Sequence, residues 1–556
     1  MKVRVIGVAI ETTAPFHGAL TRKLHGQTLV ERLIEKGGRF VDARDNILIY
    51  TDIEEVALKA ERQGVTSRFN PSRDQIEDQH LQELREFVRD NSDESDTLLW
   101  LSPYAPLVSL NSLKRAQVRF SSTNVDIVFG VTKDFRYTPV DTSLSDSELL
   151  LCMPTSNLES RSSSFVWNRA NAFLDKPPKH YEQASVPVGR DVFEIFSIHD
   201  WWVCEKLLAR KRIVFRVIGT PAVGMGHIYR TLSLAHEITD HELIFVTDPT
   251  NVAAIDELRK YQYRLEVIDK CTVREGIRSL RPDLVVNDIL NTQIDDVAIF
   301  QRDGAAVVNF EDLGPGAREA DLTFNELYDQ PQYDRPNTYW GHRYFFVRDE
   351  FADATPCRFR KEVDAILLAF GGVDQHDLTR KVLSAIEEVC RRRGVHIFVV
   401  TGPGYSNFEE LAREIKDKEL ITATHATGVI SRVMEKVSLA VTSNGRTVYE
   451  MAHMNIPAIV VPQHERERTH AFACKENGFV PLTPYSDGTT ESEVKVSLER
   501  LLDSVGEREQ LFNRTLRFRF DQNKRRIIDL IEACLDDSDG VTEGKTQSDC
   551  SSTRTR

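Results

Sequence analysis

Nowhere along these 556 residues does an apolar run approach the ~20 residues that carry a helix across a bilayer. The amino terminus, Met1-Lys2-Val3-Arg4-Val5-Ile6, reads as a short strand and lacks the apolar core of a secretory leader. A surplus of positive charge is also missing: 71 Lys and Arg stand against 85 Asp and Glu, a net charge of -14, and the cations are scattered among the acids. With no broad basic face to neutralise a phosphate backbone, nucleic acid is excluded as a partner. The eight cysteines lie far apart, with neither CxxC spacing nor the density of a disulfide scaffold. These absences predict a soluble, cytoplasmic protein with reduced thiols and no transmembrane segment. They leave the oligomeric state open.

What the chain does have is alternation. Short β-branched runs exchange with amphipathic helical stretches almost throughout, the pattern of an α/β protein built on parallel sheets covered by helices. Three series separate. The first holds strand candidates at Val3–Val8, Asn46–Tyr50, Thr97–Leu101 and Val125–Val131, and closes in a helix near Trp201–Ala209. The second runs through Arg212–Gly219, Glu242–Thr247, Leu284–Asn287 and Ala305–Asn309. The third runs through Asp364–Phe370, His396–Thr401, Ser438–Thr442 and Ala458–Pro462. Each of the last two has the size of one doubly wound nucleotide-binding unit, and two in tandem enclose a cleft. The expected domains are residues 1–209, 212–355 and 360–535, followed by a tail over 536–556 whose Asp, Ser, Gly, Thr and Arg content predicts disorder.

At Val214–Ile218 a strand meets Gly219-Thr-Pro-Ala-Val-Gly224-Met-Gly226-His227-Ile-Tyr-Arg230 and then an amphipathic helix. Glycines let the backbone approach an anion, and the N–H groups and dipole of a helix start favour negative charge. His227 falls in the first turn of that helix, where a neutral imidazole takes a proton from a water or hydroxyl attacking a sugar carbon. A glycine turn that merely joins strand to helix, capped by His227, is the competing reading. Two further loops weigh against it. The strand Ala365–Phe370 ends in Gly371-Gly372, and the strand Leu439–Thr442 leads into Ser443-Asn444-Gly445-Arg446-Thr447 and a helix carrying Glu450. Backbone amides and the Thr447 hydroxyl suit a diphosphate, and Glu450 suits two ribose hydroxyls unless it is a solvated helix carboxylate.

These residues resemble a family. Gly224-Met-Gly226-His227-Ile-Tyr-Arg230 is similar to the GxGHxxR element of the UDP-sugar hydrolases of pseudaminic acid synthesis and the related spore-coat polysaccharide proteins. The similarity continues through Trp340-Gly-His-Arg-Tyr-Phe-Phe-Val-Arg348-Asp-Glu-Phe351, Phe370-Gly371-Gly372 and Asn444-Gly445-Arg446-Thr447-Val-Tyr-Glu450-Met-Ala, covering nearly all of 212–535. It implies a two-lobed GT-B fold with UDP held mainly by the C-terminal lobe, the sugar in the cleft and His227 as the base. It also implies diphosphate contacts from Arg230 and Arg446, and a sugar side formed by Asp288, Asn325 and Arg348. No cofactor is implied for this part.

In the amino-terminal third, Arg22-Lys23-Leu-His-Gly-Gln-Thr-Leu-Val-Glu-Arg32 places two cations before a glycine turn and a helix, a triphosphate clamp or a solvated loop. Together with Ile49-Tyr-Thr-Asp52, Leu101-Ser-Pro-Tyr-Ala-Pro-Leu107 and Asp200-Trp-Trp-Val-Cys-Glu-Lys-Leu207, it resembles the cytidylyltransferases that activate acidic nine-carbon sugars with CTP. The resemblance implies a nucleotidyltransferase-like Rossmann-type domain with nucleotide contacts from Arg22, Lys23 and Asp52. The loop Gly7-Val-Ala-Ile-Glu-Thr-Thr-Ala-Pro-Phe16 lacks the family's Arg-Gly-Gly-Ser-Lys run. Glu194-Ile195-Phe196 replaces the acidic pair for Mg²⁺, and phenylalanine supplies no oxygen ligand. The domain is therefore read as degenerate, with Mg²⁺ needed only if it is active. The whole chain is expected to be a UDP-sugar hydrolase or glycosyltransferase of surface-glycan or nonulosonic-acid synthesis. The alternatives are a bifunctional enzyme that also uses CTP and a nonulosonic acid, and a non-catalytic sugar-nucleotide-binding scaffold.

Overall fold

The computed structural model describes residues 2–71, 77–134, 158–174, 182–188, 192–220 and 223–545, and the chain divides into two compact units, Met1–Arg210 and Lys211–Arg556. Among the described residues no helix is long and apolar enough to cross a membrane.

The first unit is built on one seven-stranded sheet, ordered Thr66–Phe69, Ile47–Thr51, Val3–Ala9, Thr97–Leu101, Leu158–Arg169, Ile127–Asp134, Gln183–Pro187. The first four strands are mutually parallel. Leu158–Arg169 runs antiparallel to both of its neighbours, so the sheet is mixed, whereas the sequence predicted parallel pairing. The strand escaped sequence reading because its first half, Leu-Glu-Ser-Arg-Ser-Ser-Ser, is polar and only Phe165-Val166-Trp167 reads as core. Trp167 is fully buried, packed against Phe40 and Phe120. The glycine turn after Lys23 is a two-residue hairpin, Lys23–Leu24 against Gln27–Thr28. The following helix Leu29–Gly37 opens with a capping box in which Thr28 and Glu31 satisfy each other's backbone N–H groups.

The second unit contains two parallel sheets. One is ordered Arg264–Val267, Glu242–Thr247, Arg212–Val217, Leu284–Asp288, Ala306–Phe310, Leu322–Asn325, Thr338–Trp340. The other is ordered Ile421–His425, His396–Thr401, Ala365–Ala369, Leu439–Ser443, Ala458–Val461, Phe479–Pro481. The central strands are buried on both faces, as Ile213-Val214-Phe215 and Ile366-Leu367-Leu368 require. In each sheet the chain begins in the middle, winds to one edge and then restarts on the other side of the first strand. Ligands bind at such switch points, outside the carboxyl ends of the strands. They fall between Arg212–Val217 and Leu284–Asp288 in one lobe, and between Ala365–Ala369 and Leu439–Ser443 in the other. The glycine loops read from sequence sit at these two places.

The chain crosses between the lobes twice. On the way out Phe345, Val347 and Phe351 enter the second lobe's core, beside Tyr449 and Phe472. On the way back the helix Asn523–Lys545 packs Ile527, Ile528, Ile531 and Leu535 into the core of the first lobe. Helical backbone thus continues through Lys545, past the start of the tail predicted at 536. Extending a helix already anchored by four buried residues adds one hydrogen bond per residue fixed, so the polar composition does not stop it. Residues 546–556 lie outside the described residues.

Candidate active site

A cavity of 660 Å³ lies between the two switch points, within the second unit. The loop leading to its floor is set by Gly224, whose φ of +82° lies in the left-handed region that glycine tolerates. The helix Gly226–Ala235 then starts with no side-chain cap, which leaves its first N–H groups for a ligand. From the other lobe, Gly371 (φ +79°) and Gly372 come so close that a Cβ on Gly372 would lie 3.5 Å from the Met225 nitrogen. A Cβ on Gly226 would lie 3.1 Å from Cδ of Arg446. The three loops identified from sequence therefore do converge on one space. Gly224, Gly226, His227, Gly371 and Gly372 all line it, and so do Gly445, Arg446, Thr447, Arg348 and Glu450.

His227 is 4% exposed, and its Nδ1 stands 2.5 Å from Asp288 Oδ1. Burial works to raise the Asp288 carboxyl, but Arg230 and then His227 outweigh it and hold the group well below its ordinary value. An ionised carboxylate only accepts, so the imidazole proton belongs on Nδ1 and Nε2 carries the lone pair. Arg230 fixes the carboxylate from behind, Nε donating to Oδ2 at 2.8 Å. It also donates to Glu326 Oε1 at 2.7 Å and to Glu311 Oε2 at 3.3 Å.

Four sequence expectations are corrected by this geometry. Arg230, 1% exposed, is committed to three carboxylates and does not line the cavity, so it positions rather than binds phosphate. Asp288, fully buried, stands behind His227 instead of facing a sugar. Asn325 is fully buried too, its Nδ2 donating to the Asp312 carbonyl at 3.0 Å. Asn444 turns its amide away to the carbonyls of Glu467 (2.7 Å) and His470 (3.0 Å), bracing the loop over residues 463–470. Arg230 and Asp288 are taken up by charged side chains, and Asn325 and Asn444, at strand ends, satisfy backbone carbonyls of neighbouring loops; motif position alone reveals neither.

Arg348 and Glu450 line the cavity as an ion pair, Nε to Oε1 at 2.9 Å. Arg446 lies over the Phe345 ring, pairs with Glu326 across the lobes and is brought down to about 10 by burial and by Arg230. Several lining residues were missed in the sequence. Glu311, at the end of the strand Ala306–Phe310 with φ +52°, is held down at about 2: burial opposes this, and His227, Arg230 and Arg466 prevail. Glu467 is pushed up to about 7 by burial, although the Gln463 and Asn444 amides donate to it at 2.7 and 3.3 Å. His470 donates from Nδ1 to the Asn444 carbonyl at 2.9 Å, and its buried Nε2 has no partner. Gly402 was legible, since Thr401-Gly402-Pro403-Gly404 follows a strand. A Cβ there would meet Gly372 Cα at 2.4 Å.

In the first unit Asp52 is 5% exposed, its Oδ1 accepts the Glu11 amide at 2.8 Å and its Oδ2 has no partner. Arg22 and Lys23 are exposed, Arg22 over the Phe16 ring, and no hydrogen bond or ion pair joins either to Asp52. Glu194 is taken up by Ser162 and Ser163 at 2.5 and 2.7 Å, and Phe196 is 69% exposed. The residues at the expected Mg²⁺ position do not fit that ion, and among the described residues no group of three or more His, Cys, Asp or Glu is placed to hold a metal.

Residues 366–509 match the Glycosyltransferase family 28 C-terminal domain. The chain is 29% identical over 273 residues to the uncharacterized protein MJ1062 of Methanocaldococcus jannaschii, covering 45% of this chain and 55% of that protein, about half its length. It is 26% identical over 265 residues to the spore coat polysaccharide biosynthesis protein SpsG of Bacillus subtilis, 46% of this chain and 78% of that one. It is 23% identical over 182 residues to the UDP-2,4-diacetamido-2,4,6-trideoxy-beta-L-altropyranose hydrolase of Campylobacter jejuni, 32% of this chain and 65% of the hydrolase.

Proposed function

We propose that the second unit is an enzyme acting on a UDP-linked amino or deoxy sugar in surface-glycan or nonulosonic-acid synthesis. The observation that carries this reading is the His227–Asp288–Arg230 constellation at a sheet switch point, below a cavity walled by two further glycine loops. Similarity to a named UDP-sugar hydrolase and to a spore-coat polysaccharide protein supports the substrate class.

In this mechanism the diphosphate lies against the Gly226 helix start, Gly371-Gly372 and the Gly445–Thr447 amides, and Glu450 faces the ribose. Nε2 of His227 takes the proton of a water or acceptor hydroxyl as that oxygen bonds to the anomeric carbon. The bond from that carbon to the diphosphate breaks, and UDP leaves with its electron pair. Asp288 stabilises the imidazolium so formed, and the amides and Arg446 stabilise charge growing on the leaving group.

The reading is tested by following UDP release from a panel of UDP-sugars, with and without sugar acceptors. Release without an acceptor identifies hydrolysis, and strict acceptor dependence identifies transfer. His227→Ala should bind UDP as the parent does and turn over about 100-fold or more slowly; equal turnover removes His227 as the base.

For the first unit we propose a degenerate cytidylyltransferase-like domain, because Phe196 and the engaged Glu194 leave no oxygen pair for Mg²⁺. Pyrophosphate formed from CTP, Mg²⁺ and a nonulosonic acid would overturn it.

A further inference from the structure

A second concavity, of 430 Å³, shares no lining residue with the cleft. It lies where the two crossings between the lobes meet. Arg343 reaches it from the outgoing crossing, and Arg517, Arg519 and Arg526 from the returning one, with Asn477 and Asn523 beside them. No lining residue is acidic, although the chain as a whole carries a net charge of -14. Arg517 and Arg519 spend part of their donor capacity on the carbonyls of Glu476 and His453. Arg343 and Arg526 have no hydrogen bond or ion pair among the described residues.

The wall also contains the start of the helix Asn523–Lys545, whose first turn has no acidic residue. Cations there oppose the helix dipole. Lys524 is neutralised by Glu237 and Asp349, and Arg525 by Asp529 at 2.8 Å and Glu532 at 3.5 Å. Arg526 faces the concavity with no such partner. Like charges gathered at the positive end of a helix, around a hollow that no carboxylate lines, are the reverse of what folding alone selects. An anion relieves both the repulsion and the dipole mismatch.

We infer that this concavity binds a phosphoryl-bearing anion that bridges the two lobe crossings. Guanidinium forks match phosphoryl oxygens in pairs, and the volume exceeds that of a single water-sized guest, so a diphosphate, phosphate ester or anionic headgroup suits it. The site backs onto the cleft through a run of aromatic rings, two pairs stacked and the last edge-on. Arg446 lies 4.5 Å from the Phe345 ring, Phe345 is 4.3 Å from Tyr449, Tyr449 is 4.2 Å from Phe472, and Phe472 is 4.9 Å from Phe518 at the concavity. Occupancy would hold the crossings on either side of that run together.

The test is equilibrium dialysis of labelled pyrophosphate against the full chain, with and without saturating UDP. Pyrophosphate should stay bound when UDP is present, and Arg343→Glu/Arg526→Glu should weaken that binding at least about tenfold with the thermal midpoint unchanged. The milder Arg343→Gln/Arg526→Gln pair should weaken it severalfold, should charge reversal prevent folding. No UDP-resistant pyrophosphate, or equal affinity in parent and variants, overturns the inference. If UDP itself fails to bind, the reading of the cleft fails, and arginine-dependent pyrophosphate binding still upholds this site. Sedimentation with phosphatidylglycerol but not phosphatidylcholine vesicles, lost in the Gln pair, would assign the anion to a lipid headgroup; arginine-dependent binding of pyrophosphate alone would assign it to a soluble phosphate.

Discussion

The carboxylate of Asp288 is shared: Oδ1 meets His227 Nδ1 at 2.5 Å, and Oδ2 receives Arg230 Nε at 2.8 Å. One group therefore orients the His227 imidazole and neutralises a buried guanidinium. Asp288→Asn should separate the two roles. The amide still hydrogen-bonds the ring but no longer stabilises the imidazolium, so UDP-sugar turnover should fall about 100-fold or more while UDP affinity holds. Arg230 keeps Glu311 and Glu326, so the variant should still fold, with a lowered thermal midpoint. Turnover near the parent's would detach Asp288 from the chemistry.

Arg230 sits fully buried among three carboxylates, and removing it should cost more than removing any one of them. Arg230→Met leaves Asp288 with His227 alone and takes from Glu311 and Glu326 the guanidinium they share, so that only Arg466 and Arg446 remain to them, a loss on the order of 3–5 kcal/mol in denaturant unfolding at neutral pH. The pH dependence of the parent follows from the same network. Glu311 lies at about 2 when folded, against an ordinary 4.5, so below 4.5 the unfolded chain binds the extra proton. Its stabilising contribution is fully present above about 4.5 and is lost as pH falls towards 2. Glu311→Gln should flatten acid unfolding across that window.

Much of the second unit could be read from its residues, because strands buried on both faces are continuous apolar runs and the glycine loops stand directly after them. Gly224, Gly371 and the 443–447 loop were placed by that logic, and they meet in one cavity. Side-chain direction could not be read. Arg230 and Asp288 look like ligand-binding polar residues at loop ends, yet each finds its charge partner inside the protein, and Asn444 turns to a loop twenty residues on. Glu311 and Glu326 were missed because their partners, Arg466 and Arg446, come from the other lobe. In the first unit the strand Leu158–Arg169 went unseen because a strand polar over half its length has no period to detect.

Glu467 provides a titration with the opposite sign to Glu311. Burial raises its folded value to about 7 against 4.5, so between these values the folded chain holds a proton that the unfolded chain has released. Stability should therefore fall as pH rises from 4.5 through 7, by up to about 3 kcal/mol. Glu467→Gln, which keeps an acceptor for the Gln463 and Asn444 amides, should remove that slope. If the slope persists in the variant, the group responsible lies elsewhere.

Gly402 tests whether the second lobe's loops need close backbone contact to shape the cleft. A Cβ at this position would stand 2.4 Å from Gly372 Cα and from the Gly372 carbonyl oxygen, both backbone atoms that no rotamer change can move. The Gly404 amide also donates to that carbonyl at 2.9 Å, so the two loops are tied as well as touching. Gly402→Ala must displace Gly371-Gly372 from the Met225 side of the cavity, with a strain on the order of 1–3 kcal/mol. UDP affinity should drop about tenfold or more, while an alanine at Gly428, which has nothing within 4 Å of a built Cβ, should leave it unchanged. Equal affinities in both variants would show that the diphosphate does not rest on the Gly371-Gly372 loop, and would shift the burden of binding to the Gly445–Thr447 amides.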